Sequence, residues 1–166
     1  MNAIDLLEQQ HEEALTLCRA LCDSDAGEAR SAMFKQLSSA LLAHMVVEEE
    51  LFYPTAAHAK ANGEPIVEAY EEHATARAAL SRCEMVLEEE GLFQVRMRVL
   101  EELLEHHIAQ ERSELFPQAR KDLGDDQLEG LGLEVEAVFA KAVKASNPAH
   151  RLDRLSTERE LEALSP

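Results

Sequence analysis

What most constrains this chain is a set of polar residues placed, twice over, where an amphipathic helix needs apolar ones. His11 is followed after 32 residues by His44, then by Glu48 four positions on and Pro54 six beyond that. His73 is followed after 33 residues by His107, then by Glu111 and Pro117 at the same offsets. A repeated unit fixes architecture before local propensity does.

Each of these residues interrupts an apolar stripe. The stripes read Ile4, Leu7, His11, Ala14, Cys18, Leu21; then Phe34, Leu37, Leu41, His44, Glu48, Leu51; then Ile66, Tyr70, His73, Ala76, Leu80, Cys83, Leu87; then Phe93, Met97, Leu100, Leu104, His107, Glu111, Leu115. Steps of three and four mark one face of a helix. Four helices therefore each present a His to the core. Residues four apart on a helix are neighbours, so His44 and Glu48 share one site, as do His107 and Glu111. A carboxylate without a partner in an apolar core costs several kcal/mol or takes up a proton. Cations remove that cost, because they favour ionised carboxylate and neutral imidazole. Taken singly, each His reads as an ordinary core or boundary residue. Six ligand-type residues at matched positions read as a metal site built from His11, His44, Glu48, His73, His107 and Glu111. Imidazole with carboxylate suits iron or manganese, and the absence of thiolates gives zinc no particular advantage.

The expected fold is all-α: an up-down-up-down antiparallel four-helix bundle with an additional C-terminal helix. With only 6 Gly and 5 Pro in 166 residues, punctuation is sparse. The helices are expected at about 2–23, 28–60 (kinked at Pro54), 66–90 and 92–120, with a fifth at about 126–145. Residues 1–122 form the bundle, 123–146 the fifth helix and 147–166 a tail, which packs on the bundle, reaches a partner subunit or stays mobile. The net charge of −17 speaks against nucleic acid and anionic membranes as partners. No apolar run is long enough to span a bilayer and the N-terminus lacks a signal-peptide pattern, so a cytoplasmic protein is expected. The 3 Cys do not suggest a disulfide framework. Cys18 and Cys22 read as small buried hydrophobes or as a redox pair.

The arrangement His11, His44-x3-Glu48, His73, His107-x3-Glu111 resembles the hemerythrin-like, or HHE cation-binding, proteins over residues 1 to about 120. The flanking Glu48-Glu49-Glu50-Leu51-Phe52-Tyr53-Pro54, Glu71-Glu72-His73 and Glu111-Arg112-Ser113-Glu114-Leu115-Phe116-Pro117 fit as well. The resemblance implies two Fe ions in an oxo- or hydroxo-bridged centre, with His as terminal ligands and Glu48 and Glu111 as bridges. Mn or Zn is the lesser alternative. Two departures from the oxygen-carrying hemerythrins stand out. Arg77 occupies the place of their second His on the third helix, and position 112 is Arg where they carry Asp. One His fewer implies an open coordination position, which favours chemistry on small ligands over simple carriage.

Arg77 is expected either to stabilise a bound anion at the site or to point to solvent and pair with Glu. Tyr70 is read as packing or as a neighbour of the site, Tyr53 as packing. His58 and His150 are expected off the site, and His106 on its flank or as the missing ligand. The partners expected are O2, peroxide or nitric oxide, and the chain a monomer or homodimer. Three functions compete: an enzyme consuming peroxide, an O2, iron or redox sensor (or O2-binding module) without turnover, and a metal-free helical interaction protein.

Overall fold

Asn2 starts the first helix, its Oδ1 accepting the Asp5 N–H at 3.0 Å. In the computed structural model, which describes residues 1–59 and 63–145, the helices are α1 (Ala3–Cys22), α2 (Glu28–Val47), α3 (Tyr53–His58), α4 (Gly63–Glu84), α5 (Leu92–Gln110) and α6 (Phe116–Lys144). No strand occurs among the described residues. The fold is the expected helical bundle: α1, α2, α4 and α5 pack side by side, and α6 crosses α1 and α2. None of these helices is long and apolar enough to cross a membrane. The expected tail, with His150 in it, lies outside the described residues.

The two prolines act differently from the simple kink expected of them. Each is preceded by one wide π turn, Glu48–Phe52 before Pro54 and Glu111–Leu115 before Pro117. Proline has no N–H and its ring crowds the carbonyl four residues back. The wider turn instead bonds Tyr53 N–H to Glu48 O and Phe116 N–H to Glu111 O, so the helix continues. Both π turns begin at the glutamate of the repeat.

The third helix ends earlier than expected, at Glu84. Short bonds (Val86 N–H to Cys83 O at 3.1 Å, Glu89 N–H to Val86 O at 3.0 Å) tighten the chain toward Gly91, whose φ of 79° suits glycine. At this end of the bundle Arg30 is fully buried and joins two turns. It donates to Leu87 O at 3.0 Å and to Ser24 O, pairs with Glu90 at 3.0 Å, and lies 4.5 Å from the Phe93 ring centroid. At the other end α6 turns a corner at Gly124, with φ 74° and ψ 171°. Its second arm returns over the N-terminus. A Cβ on Gly132 would lie 2.4 Å from the Met1 carbonyl oxygen, so only glycine allows that approach.

The apolar residues form two clusters. One holds Leu15, Phe34, Leu37, Leu80, Phe93 and Met97 near the Arg30 end. The other holds Ile4, Leu7, Phe52, Ile66, Phe116 and Leu128 near the α6 arm. On every helix of the bundle the repeated His and Glu fall between the two: His11 between Leu7 and Ala14, His73 between Tyr70 and Ala76, His107 and Glu111 between Leu104 and Leu115. The polar residues thus form one layer across the middle of the core.

Candidate metal centre

All six residues singled out by the repeat meet in this layer, each at most 5% exposed. His44 Nε2 and His73 Nε2 stand 3.0 and 3.1 Å from Glu48 Oε2. His11 Nε2 is 3.3 Å from Glu111 Oε2 and 3.7 Å from Glu48 Oε1. His107 Nε2 is 3.6 Å from Glu111 Oε2 and 3.2 Å from His73 Nε2. One ligand atom each from His11, Glu48, His107 and Glu111 falls within 4.8 Å of the others.

The outer ring nitrogens decide what the inner ones offer. His44 Nδ1 donates to Gln10 Oε1, His73 Nδ1 to Glu49 Oε1 and His107 Nδ1 to Glu72 Oε2, each at 2.8 Å. An imidazole donating from Nδ1 turns a lone pair inward at Nε2. Two such lone pairs, on His73 and His107, face each other at 3.2 Å. Among the described residues, His11 Nε2, His44 Nε2, Glu48 Oε1 and Glu111 Oε2 are buried with no hydrogen-bond partner. Convergent lone pairs and orphaned carboxylate oxygens repel one another unless a proton or cation sits among them. The donor set therefore fits a cation.

Without metal the cluster must share protons instead. Burial pushes Glu48 up, but the charge of His44 and the imidazoles of His107 and His73 turned toward it outweigh that and hold this carboxyl well below the usual range. Burial and then the Glu48 charge drive Glu111 well above it. His11 is driven down by burial and by His44. For His107 burial opposes the charged form, but Glu111 and bonds to Glu48 and Glu72 win and raise it. Two carboxyls with environments of opposite effect are what a site short of positive charge shows.

The structure adds Glu49, which sequence reasoning gave no role, and Tyr53, which it read as packing. Glu49, in an acidic run, is 1% exposed and accepts from both His73 Nδ1 and Arg77 Nη1, the latter at 2.7 Å. Arg77 pairs with a Glu, Glu49, but does so buried rather than in solvent, and neutralises it. Tyr53 is not simple packing. Its hydroxyl donates to Glu111 Oε1 at 2.9 Å and lies 3.2 Å from Glu48 Oε2 and 3.3 Å from His73 Nε2. Glu49 lies in the first π turn and Tyr53 directly after it; the turn carries Glu48 and Glu49 inward together and sets Tyr53 beneath Glu48. The only signal in the sequence was Pro54. Tyr70 bonds the Glu49 carbonyl at 3.2 Å and packs on Tyr53, one step outside the cluster. His106 is 65% exposed and pairs with Glu72 at 3.4 Å, on the flank, which removes it as the missing ligand. His58 bonds the Pro54 carbonyl, away from the cluster.

The repeat also shows where the halves differ. Gln10 and Glu72, each just before a lone His, play matching parts on His44 and His107. Glu49 has as its counterpart Arg112, which turns outward to Glu12 at 2.6 Å. His11 Nδ1 accordingly has no partner among the described residues. Tyr53 has as its counterpart Phe116, stacked on His11 with centroids 6.0 Å apart.

A four-helix bundle with a buried His/Glu layer that fits cations defines a hemerythrin-type metal-binding domain. Residues 2–119 match the hemerythrin HHE cation binding domain, and the chain belongs to that family. It is similar to the crystal structure of a hemerythrin HHE cation binding domain-containing protein from Mycobacterium kansasii, with a TM-score of 0.77, 23% identity and 99% of each chain covered. It is also 28% identical over 141 residues to a DNA nickase of Nostoc sp. (strain PCC 7120 / SAG 25.82 / UTEX 2576). That match takes in 85% of this chain, which spans 40% of the Nostoc protein's length.

Proposed function

We propose that this chain holds two iron ions on His11, His44, Glu48, His73, His107 and Glu111 and consumes hydrogen peroxide. The observation that carries this reading is the set of inward Nε2 lone pairs, fixed by the Nδ1 bonds to Gln10, Glu49 and Glu72. When bound, iron would supply the electron transfer and a place for a small ligand. The residues supply the rest. Glu48 and Glu111 offset the charge of two dications. Tyr53 holds a proton 2.9 Å from Glu111 Oε1, within reach of the cluster, and its phenol is held protonated by burial and the two carboxylates. A cavity of about 10 Å³ beside the four His is walled by Ala14, Leu41, Met45, Ala76, Leu104 and Ile108. It admits something the size of one water and favours uncharged ligands.

The proposed turnover converts two H2O2 into one O2 and two H2O. One peroxide gives up two electrons and two protons, and the other takes them up as its O–O bond breaks. Iron-loaded protein is expected to evolve O2 from peroxide, and Glu48→Ala or His107→Ala to abolish it. Undiminished turnover by those variants would remove the reading.

Sensing without turnover draws on a different observation. The α6 arm packs through Leu128 and Leu131 into the cluster that holds Phe52, Tyr53 and Phe116, a packed route by which occupancy of the centre would reach a peripheral helix. Stable spectra under peroxide, with metal-dependent protection of α6 from proteolysis, would favour it. Nicking of DNA stays with the Nostoc protein, since a net charge of −17 offers no general attraction for phosphates.

A further inference from the structure

The six candidate ligands are buried, so an ion must pass the bundle wall to reach them. Among the described residues two of the openings that touch them differ in chemistry. The cavity beside the four His is walled by apolar side chains and receives a polar group from the outside only at Glu72. The second is a cleft between α4 and the α5 end, lined by Glu68, Glu72, Gln110, Glu111 and Glu114. Glu68 and Glu114 are exposed, Glu72 is half-buried, and Glu111 is buried. The cleft thus steps inward from solvent-facing carboxylates to one of the candidate ligands. Glu111 is only 1% exposed, and its Oε2 has no hydrogen-bond partner among the described residues. Among the described residues no Lys or Arg lines the cleft. Glu72 belongs to both openings; its Oε2 accepts from His107 Nδ1 and its Oε1 pairs with the exposed His106.

We propose that this cleft is the port through which divalent cations load the centre, drawn in by Glu68 and Glu114 and passed by Glu72 to Glu111. The cavity with apolar walls beside the four His is left to the oxidant. This rests on the metal-centre reading above. Carboxylates of one sign in a low-dielectric cleft raise the local cation concentration and the rate of entry, and salt screens that effect. They do not alter the final site, because Glu68 and Glu114 stand outside the set of ligands.

The test is stopped-flow loading of the metal-free full chain with Co²⁺, whose visible bands report entry. Glu68→Gln/Glu114→Gln is compared with the wild type and with Glu134→Gln/Glu136→Gln, which removes the same charge from exposed positions of α6. The port predicts that the cleft variant fills to the wild-type absorbance roughly tenfold more slowly and with a shallower salt dependence, whereas the α6 variant loads normally. Wild-type rates in the cleft variant, or equal slowing in both variants, would overturn the port, the latter reducing it to net charge. A lower final absorbance in the cleft variant would also overturn it, since those residues would then hold the ion rather than pass it. No Co²⁺ uptake by the wild type would instead remove the metal-centre reading, and the port with it.

Discussion

One hydroxyl proton at Tyr53 faces two carboxylates and an imidazole, and only the Glu111 contact, at 2.9 Å, has the shortest geometry. Tyr53→Phe leaves that oxygen without its donor in a buried setting. It is expected to cost the metal-free protein about 1–3 kcal/mol in urea unfolding, with the helical content unchanged. Arg77 and Glu49 form a buried pair. Arg77→Met leaves a buried carboxylate short of its cation and should cost about 3 kcal/mol. Glu49→Gln/Arg77→Met should cost less than the sum of the single changes, which a double-mutant cycle measures. The thiols make a prediction in pH. Burial lifts Cys22 and Cys83 to about 11, with Glu101 adding to the rise at Cys22. A raised folded value stabilises below the unfolded thiol value of 9.0 and is lost as pH climbs from there toward about 11. Alkylation of the native chain at pH 8 should therefore run on the order of a hundredfold slower than that of a free cysteine, rising with pH, as intact-mass kinetics would show.

Among the elements, the two π turns decide most. An unbroken α-helix from residue 28 to 60 would spread Glu48, Glu49 and Tyr53 around its circumference. Glu48 is already inward, four residues from His44; the wider turn before Pro54 adds Glu49 and Tyr53, whereas the same turn before Pro117 follows Glu111 and leaves Arg112 out. The stripes, the turns and the repeated ligands were legible because each depends on spacing of three or four residues. Glu49 and Tyr53 were not, because their inward position depends on a turn that breaks that spacing. The α6 arm carries its own test. Gly132→Ala would drive a methyl into the Met1 carbonyl and is expected to cost about 1–3 kcal/mol, read as a fall in urea midpoint with the slope unchanged.

For the whole molecule, a polar layer divides the core into two apolar halves, and the layer is self-repelling until a cation fills it. Metal bound a thousandfold more tightly than its free concentration requires adds about 4 kcal/mol. In a domain of this size that corresponds to roughly 8–16 °C in Tm. Calorimetry of metal-free and iron-loaded protein should show that gap; identical melting curves would count against a cation in the layer.

The sequence by itself determined the helices, their apolar faces and the six residues that share one level, because helix periodicity is a local property and the repeat prints it twice. Tertiary structure alone decided which ring nitrogen faces inward, since that depends on Gln10, Glu49 and Glu72 reaching across from neighbouring helices. It also decided the burial of Arg77 against Glu49 and the return of α6 over the N-terminus. The contacts at the ring nitrogens alone join residues as far as 35 positions apart, at His107 and Glu72. No period within a single helix encodes them, because they arise only when packed helices bring separate faces to the same layer.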